Sequence, residues 1–166
     1  MSTEKRNLSD NQVKQYQGAE NWKIAIVTAD WNPDVTYAMR DAAINSLENS
    51  GIKTENIRSK SVPGSFELVS AAKTMADYSD VHAVICLGCI IQGETRHFDF
   101  VAQGVTDGIR DLNTRYNIPF IFGVLTTSNQ QQALDRSGGK HGNKGDEAAA
   151  AALQMIQLKK EIKQGI

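Results

Sequence analysis

Residues 81–100 read VHAVICLGCIIQGETRHFDF, and the fold turns on how this stretch divides. From Val81 to Ile91 it is almost unbroken apolar sequence. A strand with one face in water would alternate, so this run predicts a strand buried on both faces. Gly93 ends it. Glu94 and Thr95 then open a helical segment reaching to near Tyr116. Its apolar residues Phe98, Val101, Ala102, Val105, Ile109 and Leu112 recur at spacings of three and four. Such a corner gathers free backbone N–H groups and the positive end of a helix dipole, a setting for an anion.

Working outward, residues 24–29 (IAIVTA) form a short buried strand that runs into Asp30-Trp31-Asn32-Pro33-Asp34, the caps and early proline of a helix start. That helix covers 33–50, with Val35, Ala38, Met39, Ala42 and Leu47 inward. Residues 54–62 (TENIRSKSV) are too charged for the middle of a sheet and predict an edge strand. Pro63-Gly64-Ser65 turns the chain into a helix over 65–78, with Phe66, Val69, Ala72, Met75 and Ala76 inward. A fourth strand over 118–125 tolerates Pro119 near its start. A short helix over 130–136, a glycine-rich loop over 137–145 and a last helix over 146–162 complete the chain. Strands alternating with helices imply parallel strands and right-handed crossovers. The predicted fold is α/β: a three-layer α/β/α sandwich around a four-stranded parallel sheet in the order 2-1-3-4, flavodoxin-like. Residues 1–20, polar and without period, are expected to be mobile or extended against a neighbour. Residues 21–166 make a single domain.

The chain has 166 residues, 40% hydrophobic and 22% charged, with a formal net charge of −1. That length can bury a real core. Without a basic block, nucleic-acid binding has no support. No apolar run approaches the ~20 residues of a membrane span, and the first twenty residues lack the apolar stretch of a secretory signal, so a cytoplasmic protein is expected. Cys86 and Cys89 have C-x-x-C spacing, yet residues three apart on a strand face opposite ways. Buried free thiols are the better reading, and neither a redox nor a metal role is expected of the pair.

Open parallel sheets bind ligands beyond the carboxyl ends of their strands. Here those ends carry Asp30-Trp31-Asn32, Val62-Pro63-Gly64-Ser65-Phe66-Glu67, the stretch from Cys89 to His97, and Thr126-Thr127. Trp31 can stack on a heteroaromatic ring or pack beneath a loop or neighbour; the residues leave both readings open. Pro63-Gly64-Ser65 can bind a polar ligand or serve only as a cap. Glu67 sits where a helix dipole favours an acid in any case. His97, in a helix's first turn where the dipole favours neutral imidazole, is the best proton-transfer group; against it stands a capping or solvated histidine. Asp99 points to the other side of the helix and is not its orienting carboxylate. His82, read as beginning a buried strand, and His141, in a flexible loop, carry no chemistry. Arg136, Lys140 and Lys144 flank the glycine-rich loop. With the N–H groups near Glu94 and Thr95 they suit a phosphate, although neither a P-loop nor a GxGxxG motif is present. Phe122 reads as core or interface.

From Trp22 to about Ile162, these motifs resemble those of the 6,7-dimethyl-8-ribityllumazine synthases, penultimate enzymes of riboflavin synthesis. The resemblance rests on Trp31-Asn32, residues 62–67, residues 88–95 with His97-Phe98-Asp99, residues 122–127, and residues 136–145. It implies condensation of 5-amino-6-(D-ribitylamino)uracil with 3,4-dihydroxy-2-butanone 4-phosphate, giving the lumazine, phosphate and water, without cofactor or metal. By the same resemblance Trp31 would stack on the pyrimidine and Ser65, Phe66 and Glu67 would hold the ribityl chain. Cys89, Ile90 and Ile91 would meet the pyrimidine largely through backbone groups. Glu94, Thr95 and Arg136 would bind phosphate, with Lys144 a further candidate, and His97 would shuttle protons. Phe122 and Arg136 would come from an adjacent subunit of a homopentamer. Residues 138–142 form a short loop, which favours closure of pentamers into a 60-subunit icosahedral shell and makes riboflavin synthase a candidate partner. Four positions depart from the family's common pattern. Gln92 replaces a frequent arginine, Ser65 an alanine and Cys89 a threonine, and Gly139 follows Gly138 where Gly-Thr is usual.

Two rivals remain from the residues. A binding module could hold a flavin or lumazine without catalysis, but it has no use for a phosphate clamp beside a proton relay. A phosphosugar isomerase would need a stronger base than one histidine.

Overall fold

A computed structural model describes residues 15–165. The chain alternates as the sequence predicts. In order come β1 (Ile24–Ala29), α1 (Pro33–Asn49), β2 (Ile57–Val62), α2 (Leu68–Tyr78), β3 (Ala83–Ile91) and α3 (His97–Arg115). They are followed by β4 (Phe120–Thr127), α4 (Gln130–Leu134), β5 (Ser137–Gly139), β6 (Gly142–Asn143) and α5 (Lys144–Gln164). Strands β1 to β4 form one parallel sheet in the order β2-β1-β3-β4. The sheet is layered between helices in a flavodoxin-like α/β fold.

The apolar runs explain the order. All six residues of β1 and eight of nine in β3 are buried, so these strands take the two central places. In β2 the middle four residues are exposed, and the strand lies at an edge. Alternate side chains feed two cores. One, against α1 and α5, holds Ile24, Ile26, Ile85, Leu87, Cys89 and Leu125. The other, against α2 and α3, holds Ala25, Val27, Val84, Cys86, Ile90 and Val124. The two cysteines therefore lie on opposite faces of the sheet, both buried and free.

Small residues let the layers approach. Three of the five consecutive alanines, Ala148, Ala149 and Ala152, are buried under α5. A Cβ on Gly123 would meet Leu87 Cδ2 at 2.6 Å. That leucine is fully buried, and cutting it back to alanine would cost about 2–5 kcal/mol.

Several boundaries differ from the expectation. Helix α2 begins at Leu68 rather than 65, so Phe66 falls in the preceding turn and is 60% exposed instead of inward. In α1 it is Ala43, not Ala42, that is buried. Strand β4 runs two residues past its predicted end, taking in Thr126 and Thr127, whose branched side chains suit extended backbone. The glycine-rich loop is a tight β5–β6 hairpin, and α5 starts two residues early. His82 does not begin the buried strand. It is exposed just before β3, where its Nδ1 accepts from the Lys23 N–H at 2.9 Å.

The expectation for the amino-terminal segment falls largely on residues 1–14, outside the described residues. Residues 15–20 are packed. The Tyr16 and Trp22 rings lie 5.6 Å apart, Ala19 is buried, and Gln15 Nε2 donates to the Asn49 carbonyl at 2.8 Å.

Candidate functional site

The four strand ends at the carboxyl rim are stitched to one another by the loops that leave them. Asp30 N–H donates to the Val62 carbonyl at 2.8 Å and Trp31 N–H to the Pro63 carbonyl at 3.3 Å, joining the ends of β1 and β2. Asn32 Nδ2 donates to the Cys89 carbonyl at 3.0 Å, joining β1 to β3. Gln92 N–H donates to the Thr127 carbonyl at 2.8 Å, joining β3 to β4. Asn32 has φ +60°, the left-handed region that asparagine tolerates better than most residues. Its amide thereby turns back over the sheet while Pro33 starts α1. The sequence places Asn32 at the helix start and on the rim; the tie to β3 is a further role that asparagine before proline at a strand-to-helix turn allows.

On this rim the predicted residues divide into two groups. The first lies over the ends of β1, β2 and β3, with Ser65, Phe66 and Ile90 on the α2/α3 side and the Cys89 and Ile91 side chains toward α1 and α5. Trp31 is 71% exposed. A Cβ on Gly64 would meet Trp31 Cδ1 at 3.4 Å and Glu67 Oε2 at 3.0 Å, so the indole and the carboxylate flank one glycine. Glu67 is the N-cap of α2, one position before its first turn. Ser65 is buried, with its Oγ against Gly88 in mid-β3 and without a hydrogen-bond partner. Phe66 lies across Gly104 of α3. Cys89 and Ile90 are buried and Ile91 half-buried, which leaves backbone rather than thiol chemistry at the strand end. Burial pushes the Cys89 thiol up to about 11. Glu94, Thr95 and His97 are all exposed at the start of α3, with the His97 N–H donating to Thr95 Oγ1 at 3.3 Å. Asp99 faces Arg96 at 3.4 Å, as expected of a group that does not orient His97.

The second group lies elsewhere on the same chain. Arg136 follows α4, whose Ala133 belongs to the α1/α5 core, so it sits on the opposite face of the sheet from Ser65 and His97. The Lys144 N–H closes the hairpin onto the Arg136 carbonyl at 2.8 Å, and Lys144 Nζ is paired with Glu147 at 2.8 Å. Lys140 is paired with Asp135 at 3.1 Å. Phe122 is 38% exposed and sits five residues before the end of β4, roughly 16 Å short of the rim. One chain therefore carries aromatic, hydroxyl, carboxylate and imidazole groups on one rim, with Phe122 part-way along β4 and Arg136 beyond α4 on the other face of the sheet.

Among the described residues, no group of three or more His, Cys, Asp or Glu side chains is placed to hold a metal ion, and no helix is long and apolar enough to cross a membrane. The arrangement suits a planar ring beside Trp31, a hydroxyl-bearing chain over Ser65 to Glu67, and an anion at the start of α3.

Residues 21–160 match the family model described as 6,7-dimethyl-8-ribityllumazine synthase. Proteins of that name are similar along nearly the whole chain. The one from Parabacteroides distasonis is 50% identical over 95% of this chain and 99% of its own. The one from Flavobacterium johnsoniae is 47% identical over 97% and 85%, and the one from Cytophaga hutchinsonii 49% identical over 94% and 98%.

Proposed function

The chain belongs to the 6,7-dimethyl-8-ribityllumazine synthase family, and from that premise we propose that its two substrates meet on the rim between Trp31 and His97. The reaction is the transferase step of riboflavin biosynthesis that condenses 5-amino-6-(D-ribitylamino)uracil with 3,4-dihydroxy-2-butanone 4-phosphate. Trp31 stacks on the pyrimidine. Ser65, Phe66 and Glu67 hold the ribityl chain, the Glu67 carboxylate accepting from its hydroxyls. The backbone of Cys89, Ile90 and Ile91 meets the pyrimidine edge. The phosphate lies at the N-terminus of α3 near Glu94 and Thr95 and is clamped by Arg136, with Lys144 close by in sequence.

The single observation that carries this reading is the pairing of Trp31 and Glu67 across Gly64, a ring-stacking group and a hydroxyl acceptor side by side. Chemistry asks little more of the site. The amine adds to the ketone, a C–N bond forms and water leaves; phosphate is then eliminated, the resulting enol becomes a ketone, and the second nitrogen adds to that carbonyl and closes the ring with loss of a second water. Each step needs alignment and a proton moved, and alignment of two bound reactants supplies much of the acceleration. His97 takes and returns those protons.

Phe122 and Arg136 complete the site of a neighbouring subunit in a homopentamer. What supports this is the place of Arg136, beyond α4 on the face of the sheet opposite Ser65, and of Phe122, part-way along β4 and short of the rim. The tight turn between β5 and β6 favours pentamers closing into a 60-subunit shell, with riboflavin synthase as candidate partner.

The test is steady-state kinetics of His97→Ala and Arg136→Ala. His97→Ala should lower kcat by about a hundredfold. Arg136→Ala should raise KM for the phosphorylated substrate about tenfold or more with a smaller effect on the pyrimidine. Wild-type rates in both would overturn the assignment.

A further inference from the structure

At the amino ends of the strands, the side of the sheet opposite the rim, lies a cleft of about 490 Å³. Its walls are Trp22, Val81, Ile118 and Ile156, residues that precede β1, β3 and β4 or lie on the inner face of α5. Its mouth carries Lys159, Lys160 and Lys163. Strand β3 has nine residues, so at ~3.3 Å per residue the cleft is about 25–30 Å from the rim. Pockets of ~300–1,000 Å³ are the size that holds small organic molecules.

Apart from the Gln164 amide, which can donate or accept, the polar side chains of this cleft are donors. Lys159 Nζ donates to the Asn117 carbonyl, and Lys160 Nζ to the Gln17 carbonyl at 2.8 Å. A neutral carbonyl takes one of an ammonium's three hydrogens and leaves its charge uncompensated. His82 also lines the cleft. Its Nδ1 accepts from the Lys23 N–H, so a neutral ring carries its hydrogen on Nε2 and presents a further donor. The neighbouring acid, Asp80, is already bound to Lys23 at 2.7 Å, and among the described residues no carboxylate lines the cleft itself. Lysines near a helix carboxyl end complement its dipole. That accounts for their place on α5 but not for a floor of Trp22 and Ile156, each 6% exposed.

We propose that this cleft is a second binding site, for a small organic anion whose apolar body sits on Trp22, Val81, Ile118 and Ile156 and whose carboxylate, sulfonate or phosphate meets Lys159, Lys160 and Lys163. The site is separate from the condensation site and does not depend on how that site is assigned.

The chain has two tryptophans, Trp22 and Trp31, so Trp31→Phe leaves Trp22 as the only indole. Titrating that variant with 1-anilinonaphthalene-8-sulfonate should quench Trp22 saturably at one probe per chain. The uncharged N-phenyl-1-naphthylamine should bind about tenfold more weakly, and Lys163→Glu should weaken the sulfonate about tenfold while Lys163→Arg restores it. Lys163→Glu in an otherwise unchanged chain should keep its condensation activity, which shows that it folds. Absence of saturable quenching, equal affinity for the two probes, indifference to Lys163→Glu, or quenching of Trp31 in a Trp22→Phe variant would each overturn the proposal.

Discussion

The side-chain amide of Asn32 and the backbone carbonyl of Cys89, 57 residues apart in sequence, are joined by a 3.0 Å hydrogen bond. The bond fixes the distance between the loop that carries Trp31 and the strand end that faces it. Asn32→Gly keeps the left-handed backbone and loses only the bond, which should cost about 1 kcal/mol. Asn32→Ala adds the left-handed strain of a residue with a Cβ, about 1–2 kcal/mol more. Denaturant titration should rank wild type above glycine and glycine above alanine. Both variants should raise KM for the pyrimidine, because the indole loses its anchor. Alanine as stable as glycine would mean that the backbone at position 32 relaxes without strain.

Ser65 makes a contrasting case. Its hydroxyl is buried against Gly88 and has no hydrogen-bond partner, a burial that costs about 1–3 kcal/mol. Ser65→Ala should therefore unfold at the same or a higher denaturant concentration than wild type. Gly88→Ala should do the reverse, since a Cβ there would stand 2.6 Å from Ser65 Oγ and 3.0 Å from Leu68 Cδ1. An unchanged KM for the pyrimidine in Ser65→Ala would agree with residue 65 meeting the ribityl chain through its backbone, the hydroxyl being buried.

Helices α1 and α5, side by side on one face of the sheet, touch at the start of α5, where a Cβ on Gly145 would fall 1.8 Å from the Met39 carbonyl oxygen of α1. No rotamer change relieves a clash with backbone. Gly145→Ala should lower stability by about 2–3 kcal/mol or more, read as a fall in thermal midpoint. Gly93→Ala is the control: its Cβ would meet nothing within 4 Å, and the midpoint should hardly move.

Strand order was legible because it depends on which strands are apolar throughout, and residues 24–29 and 81–91 announce that directly. The rim followed, since strand ends in a parallel sheet fall on one side. Helix starts were less legible. Phe66 fits the apolar period of α2, and nothing in that period says that the helix waits until Leu68. Nor could sequence show that Arg136 and Ser65 stand on opposite faces of the sheet, because the side taken by α4 depends on its packing against α1 and β4. The hairpin over residues 137–143 was hidden for a related reason: its strands are two and three residues long, too short to show alternation.

Burial pushes the Cys86 thiol up to about 12 and the Cys89 thiol to about 11, from an ordinary value near 9. Both stay neutral in the folded protein well above the pH at which the unfolded chain ionises them. Their contribution to stability is thus intact below about pH 9 and is lost as pH rises through the folded values. The denaturation midpoint should fall steadily between pH 9 and 12, and a Cys86→Ala, Cys89→Ala double variant should show a shallower fall. At pH 8 iodoacetamide should label neither thiol until denaturant is added.

The place of Arg136 on the face of the sheet opposite Ser65 gives the sharpest test of a shared site. If each site takes His97 from one subunit and Arg136 from the next around a ring, then a His97→Ala chain and an Arg136→Ala chain each spoil every site when expressed alone. Co-expressed in equal amounts, they pair at random. Roughly one site in four then receives an intact His97 and an intact Arg136 from different chains. At low concentrations of the phosphorylated substrate, mixed particles should show about a quarter of wild-type activity, well above the sum of the two variants. Were His97 and Arg136 to act within one chain, every site would keep one lesion and mixing would restore nothing. Sedimentation of the mixed particles at the wild-type rate would establish that the assembly itself is unchanged.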